Sequence, residues 1–317
     1  MEHRRSPRRA REATLRDVAA AAGVSIWTAS NTYGNPARVS EATRSLALGR
    51  TGMIAVVAPG DADLLLTDPA AALVTRGLLT ACSWAGYPLV LSGASSAPIA
   101  DGRVFFRVVP ETGARVPGVV GDGPAAPGAE HAVRADVRGA AATLAAHLHD
   151  LGHRELAVLS WPGAEDRLAG VEDGWPGAPP RVYRVEARPD GPGERDDRGW
   201  GRAAGETLAR AALSRDPRPT AVLALGDTLA LSVLEVAHWM GLRVPDDVSV
   251  AGLDDLPGSD AAGLTTALVP YRSLGERAGD ALMALLGGEE PATAPDLPTA
   301  LAIRRTTGPP PPGLPGS

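Results

Sequence analysis

The sequence predicts an α/β protein in which a small helix-turn-helix head precedes a core of doubly wound parallel sheets. Three observations carry this expectation. A helix-capping pattern with a glycine turn lies near the N-terminus, short apolar runs alternate with amphipathic stretches from Met53 onward, and positive charge is gathered at the front of the chain.

The head begins at Thr14-Leu15-Arg16-Asp17, a capping-box pattern in which the hydroxyl and the carboxylate three residues on can satisfy free amides of a helix start. The helix runs to Gly23, where a left-handed turn costs little, and Ser25 caps a second helix through about Tyr33. Two short helices around such a turn can lay the second in a DNA major groove. Ser40 can cap a third from Glu41 to Leu48, with Gly49 closing it.

In the body, Met53 to Ala58 reads as a buried strand, Ala70 to Gly86 as a helix and Tyr87 to Leu91 as a second strand. Further helix-strand units follow at 138–152 with 155–159, 200–212 with 221–225, and 228–240 with 248–252, then a helix at 273–286. Between Ser95 and Gly121, prolines and glycines leave only short strands near 104–109 and 116–120, and Gly174 to Pro180 cut the helix after Arg167. Ligands of such sheets bind beyond the carboxyl ends of the strands.

Composition narrows the function. The 317 residues, 44% of them hydrophobic, suffice for several cores, and the chain contains no lysine, so its 31 basic residues are arginine. Residues 1–50 hold nine arginines against four acids, a net +5 that leaves −11 for the remainder. A basic head on an acidic body suits DNA binding. No apolar run can cross a bilayer and no apolar signal core follows Met1, so a cytoplasmic protein without membrane contact is expected. Cys82 is the single cysteine, which excludes an intrachain disulfide and a cysteine-rich metal site. No dinucleotide fingerprint, P-loop, G-x-S-x-G or H-E-x-x-H occurs, so neither an enzyme nor a cofactor is expected. His147, His149 and His153 gather near one helix end with no carboxylate motif beside them, so solvent-facing histidines and not a metal site are the expectation.

The head residues Thr14 to Ala19, Ala22 to Ser25, Thr28 to Ser30 and Arg38 to Arg44 resemble the DNA-binding signature of the LacI (lactose-repressor) family in order and spacing. In the body, Asp136 to Gly139 with Leu151-Gly152-His153-Arg154, Arg167-Leu168-Ala169-Gly170, Asp227 with Ala230, Gly241 to Asp255 and Leu264-Thr265-Thr266 resemble that family's sensor core, which is similar to periplasmic sugar-binding proteins. The resemblance implies a two-lobed, periplasmic-binding-protein-like core over 51–305, its second lobe opening near 136. It further implies a homodimer that places two heads over 13–48 on a pseudo-palindromic operator in double-stranded DNA, and a small polar effector, such as a sugar or nucleoside, bound between the lobes. Outside these units, residues 1–12 are expected to be a disordered basic arm and 306–317 a disordered proline-rich tail.

By the same resemblance Ile26, Trp27 and Asn31 face bases, while Thr28, Ser30, Asn35 and Arg38 contact phosphates or fix the helix. Asn31 could pair with adenine, and Trp27 could pack on a thymine methyl or sugar, or simply cover the helix pair. The chain departs from the family after Arg44, where the end of the third helix, the loop and most of the hinge helix are missing. Leu46 therefore either fills the head's core or wedges the minor groove. In the core the resemblance puts Arg167, Asp254, Asp227 and Trp161 at the effector. Arg167 and Asp254 could instead be an interlobe ion pair, Asp227 a helix cap, and Trp161 a plug. Gly226 stands where the family commonly carries asparagine. The reading is a transcriptional regulator, a repressor by family default; its alternative is a sensor-like binding protein whose operator binding is impaired by loss of the hinge.

Overall fold

The computed structural model describes residues 14–22, 25–34, 38, 51–94, 100–107, 118–121, 131–185 and 202–312. The expected arm at 1–12, the third helix, the shortened hinge with Leu46, and Asn35 lie outside the described residues. In the head, α1 (Leu15–Ala22) and α2 (Ile26–Gly34) pack on each other through buried Ala19 and Ala29. Two methyl-sized contacts let the short helices approach closely.

The core holds two sheets. In the first, β1 (Ile54–Ala58), β2 (Leu89–Gly93), β3 (Gly102–Phe106), β4 (Gly118–Gly121) and β5 (His131–Val133) lie in the order β2-β1-β3-β4-β5, all parallel. Entry into this lobe is fixed by Asp101, whose carboxylate accepts the backbone N–H of Thr51 at 2.5 Å and of Gly52 at 3.0 Å. After β1 come the single turn α3 (Leu64–Thr67) and the long helix α4 (Pro69–Trp84). Asp68 caps α4 through the N–H of Ala71 at 2.7 Å, with proline at the first helical position, where its missing N–H costs nothing.

The second sheet runs β11-β10-β9-β8-β6-β7, parallel except for β11. Its strands are β6 (Leu156–Ser160), β7 (Arg181–Arg184), β8 (Ala221–Ala224), β9 (Ser249–Asp254), β10 (Thr265–Leu268) and β11 (Ala300–Ala302). Every residue of β6, β8 and β9 is buried, as strands covered by helices on both faces must be. The covering helices include α5 (Val137–Asp150), α6 (Glu165–Gly174), α7 (Arg202–Leu213) and α8 (Asp227–Trp239), and the single turn α9 (Ser259–Ala262) follows β9.

The chain passes between the sheets near 134–136, 269–270 and 297–299. The third pass is tied to the first: Leu297 N donates to Arg134 O at 2.8 Å and Asp136 N to Leu297 O at 2.9 Å. After the second pass, α10 (Tyr271–Gly287) returns to the first lobe and packs on α4, β3, β4 and β5. The α4–α10 contact is backbone-close: a Cβ at Gly77 would lie 2.0 Å from Arg272 O, and one at Gly275 2.1 Å from Val74 O.

Two expectations need correction. Residues 306–312 are not a disordered tail. Val250 N donates to Thr306 O at 2.8 Å, Thr265 N to Thr306 Oγ1 at 2.8 Å, and Gly308 N to Ser249 Oγ at 3.0 Å. Thr306, Thr307 and Gly308 supply the carbonyl, hydroxyl and N–H groups that bind, of which the following prolines keep only the carbonyl, so this stretch straps the second sheet. Nor is His153 a surface group. It is fully buried, with Nδ1 2.9 Å from Thr220 Oγ1 and Nε2 2.9 Å from Gly308 O, while His147 Nε2 lies 3.1 Å from Thr307 Oγ1.

Candidate functional site: the head and the interlobe cleft

Ser25 starts the second helix of the head as a cap, its Oγ accepting the N–H of Thr28 at 3.0 Å and lying 2.8 Å from the Thr28 hydroxyl. That geometry turns the following residues outward. Ile26 is 48% and Trp27 62% exposed, so the indole does not cover the helix pair. Ser30 and Arg38 are also exposed. Asn31 is folded back, its Nδ2 donating to Trp27 O at 2.8 Å, and would have to rotate to meet a base edge.

In the core, both sheets reverse strand order at the same cleft. The first reverses between β1 and β3, the second between β6 and β8. A crevice opens at such switch points, because successive crossovers leave in opposite directions. Asp68 and Ala70, after β1, and Arg107, directly after β3, form one wall; Trp161 after β6, Gly226, Thr228 and Leu229 after β8, and Asp254 and Leu256 at the end of β9 form the other. Together they line one crevice that opens to solvent. Among the described residues, the non-glycine positions with positive φ are Arg107 (52°), Asp254 (141°) and Asp255 (54°), so the backbone is strained where these walls meet. Surrounding contacts hold it there: Val269 N donates to Asp254 O at 3.1 Å, and Arg304 pairs with Asp255 at 2.8 Å.

Arg167 and Asp254 are brought together. Arg167, in the first turn of α6 and 5% exposed, donates through Nη1 to Asp254 Oδ1 at 2.9 Å and to Leu225 O at 2.6 Å, and through Nη2 to the Tyr271 hydroxyl at 2.9 Å. Tyr271 in turn donates to Asp254 Oδ1 at 2.6 Å. Asp254 Oδ1 is thus doubly engaged, while Oδ2 takes no hydrogen bond among the described residues and lies beside Gly226. Burial pushes the Asp254 carboxyl up to about 6, against the pull of Arg167; Asp227 adds to the rise, while Tyr271 and the Arg107 charge across the cleft oppose it. Trp161 lies over the Arg167 guanidinium at 5.4 Å. Its indole is seated because position 226 has no side chain: a Cβ there would be 3.1 Å from two ring carbons.

Asp227 is neither a helix cap nor a cleft-lining residue. It opens α8 without capping it, is fully buried, and accepts from Leu256 N at 2.9 Å, Ser259 Oγ at 2.5 Å and Thr266 Oγ1 at 2.6 Å. Burial raises its carboxyl above the usual range, with those three donors pulling it back. Gly252 makes room for it, since a Cβ there would sit 2.3 Å from Asp227 Oδ1. Asp227 therefore shapes the loop that carries Asp254 from behind.

Asp68, Arg107 and Tyr271 were missed by sequence reasoning. Asp68 had a readable signal, an acidic residue before the proline that opens a helix after the first strand. Arg107 was hidden inside a strand read as continuing to Val109, whereas the strand ends at Phe106. Tyr271 stands at a helix start with nothing local to mark it.

Residues 14–47 match the family of bacterial regulatory proteins described as the lacI family, and residues 145–307 match a periplasmic binding protein-like domain. An HTH-type transcriptional regulator of Mycobacterium tuberculosis is 29% identical over 370 aligned positions, covering 96% of this chain and 99% of the relative. Those positions outnumber the 317 residues here, so the relative carries segments this chain lacks. The lactose operon repressor of Escherichia coli is 32% identical over 167 residues, 51% of this chain and 44% of the repressor. Among solved structures, a transcriptional regulator CelR–cellobiose complex superposes with a TM-score of 0.66 at 25% identity, covering 93% of this chain and all of that one. The lac repressor dimer bound to operator and anti-inducer shares the fold, with a TM-score of 0.64 at 23% identity over 94% of this chain and all of that one. With its helix-turn-helix head and periplasmic-binding-protein-like core, the chain belongs to the LacI family of DNA-binding transcriptional regulators.

Proposed function

We propose that the chain is a repressor, working in the cytoplasm without catalysing a reaction, whose hold on a pseudo-palindromic operator is set by a sugar- or nucleoside-sized polar effector in the interlobe cleft. The observation that carries the reading is the gathering of strained backbone at Arg107, Asp254 and Asp255, where the switch points of both sheets meet. In this role Asp254 Oδ2 and Asp68 accept hydroxyl hydrogen bonds, Arg107 donates, Trp161 offers an apolar ring face, and Arg167 holds Asp254 in place. Asp227 supports the site and does not touch the effector. On DNA, Ile26, Trp27 and Asn31 read bases, while Thr28, Ser30, Asn35 and Arg38 contact phosphates. A homodimer supplies the two heads.

The test is calorimetric titration of the full chain with cellobiose and a panel of monosaccharides, disaccharides and nucleosides, joined to gel-shift titration of DNA upstream of its own gene at two salt concentrations. One of the panel should bind, should loosen the DNA complex, and should bind Asp254→Asn at least tenfold more weakly. Equal affinity for upstream and random duplex overturns the operator assignment. Unchanged affinity in Asp254→Asn overturns the cleft assignment.

A further inference from the structure

We infer that the Tyr271 hydroxyl is the latch that couples the effector cleft to the first lobe. Arg167 and Asp254 both belong to the second lobe, on α6 and β9. Tyr271 is the first residue of α10, a first-lobe helix, and is 1% exposed. Its hydroxyl donates to Asp254 Oδ1 at 2.6 Å and accepts from Arg167 Nη2 at 2.9 Å, while Arg167 Nη1 reaches the same Oδ1 at 2.9 Å. The three side chains close a ring that spans the two lobes immediately after a chain crossing. One oxygen of Asp254 thus serves the latch while the other faces the cleft. A ligand that draws on the carboxylate redistributes the charge that Tyr271 senses.

The motion has a rigid carrier. α10 packs backbone to backbone on α4 at Gly77 and Gly275, where even a methyl group would collide with Arg272 O or Val74 O, so the pair is closely coupled. The first turn of α4 also borders the cleft, through Asp68 and Ala70. The two helices therefore move as one body, with both N-termini at the effector site and Tyr271 pinning that body to the second lobe. Tyr271 is a positioning residue, and this role rests on the cleft being the effector site.

The experiment uses no effector, so it can fail independently of that reading. Spin labels are placed in the full chain at Glu290→Cys in the first lobe and Ser214→Cys in the second, both exposed positions. Cys82 is buried, with its thiol pushed up to about 11 by burial, and does not compete for label. Labelled protein is diluted with unlabelled protein so that pulsed dipolar spectroscopy reads distances within one chain. Tyr271→Phe keeps the packed ring and removes the hydroxyl. The fraction of molecules outside the native distance band should rise on the order of tenfold, as loss of a hydrogen bond to a charged group implies. Asp254→Asn should produce a comparable shift, and adding Tyr271→Phe to it should change little. A purely structural hydroxyl would lower the melting temperature and leave the distances alone. A native distribution in Tyr271→Phe overturns the latch, as does a full additional shift when it is combined with Asp254→Asn.

Discussion

The indole of Trp161 occupies the volume that a side chain at position 226 would need, with a Cβ on Gly226 falling 3.1 Å from its Cη2 and Cζ3. The two positions act as one element of cleft shape: the ring has come in where a branching group is missing.

Gly226→Asn should therefore displace the indole from the Arg167 guanidinium and lower effector affinity roughly tenfold or more, the order of a lost buried contact of 1–3 kcal/mol. Trp161→Ala combined with Gly226→Asn should recover part of that loss, because the collision is gone. Calorimetry on the two single variants and the double variant checks this; strictly additive losses would separate the two positions.

Titration of Asp254 gives opposite signs for stability and binding. Its folded pKa of about 6 lies above the ordinary 3.8, so the protonated form is favoured by folding. That contribution is full below 3.8 and is lost as pH rises through 6. Effector hydroxyls donate to the ionised form, so affinity should increase over the same rise. Melting curves and calorimetry between pH 4 and 7.5 should show both trends, and Asp254→Asn should flatten both.

His153 titrates the C-terminal strap. Burial lowers its pKa from 6.5, opposed by the carbonyl of Gly308, so the folded chain favours the neutral ring. The stabilisation is present above 6.5 and lost as pH falls through the lowered folded value. His153→Ala should cost about 2–4 kcal/mol through a cavity and the hydrogen bonds that Thr220, Ser249 and Gly308 lose. Hydrogen exchange at the amides of Val250 and Thr265, which bond to Thr306, should accelerate first.

In the head, Ser25→Ala removes the cap on α2 and should cost about 1 kcal/mol. Trp27→Ala should leave the melting temperature within a degree or two, since the ring is exposed, yet reduce the preference for operator over random DNA at least tenfold. Circular dichroism and gel shifts separate the two effects; a large stability loss in Trp27→Ala would place the ring in the head's core instead.

The sheet strands and long helices were legible because each is a local pattern: Ile54 to Ala58 is an unbroken apolar run, and 69–84 repeats small and apolar residues at helical spacing. The pairing of Arg167 with Asp254 came from resemblance, and their 2.9 Å contact spans 87 residues of sequence. Tyr271 and Arg107 could not be read in this way. Each owes its position to where a strand or crossing ends, a property of lobe packing that no neighbouring residue encodes. The strap at 306–308 was obscured for the opposite reason, since its prolines speak for disorder while two threonines and a glycine do the binding.

Because α10 completes the first lobe and β11 with the strap completes the second, the first lobe joins segments separated by more than a hundred residues and the second joins segments on either side of α10. A ribosome must release nearly the entire core before either lobe can gain its last element. Premature termination before α10 leaves both lobes incomplete, and termination between α10 and the strap leaves the second sheet unfinished.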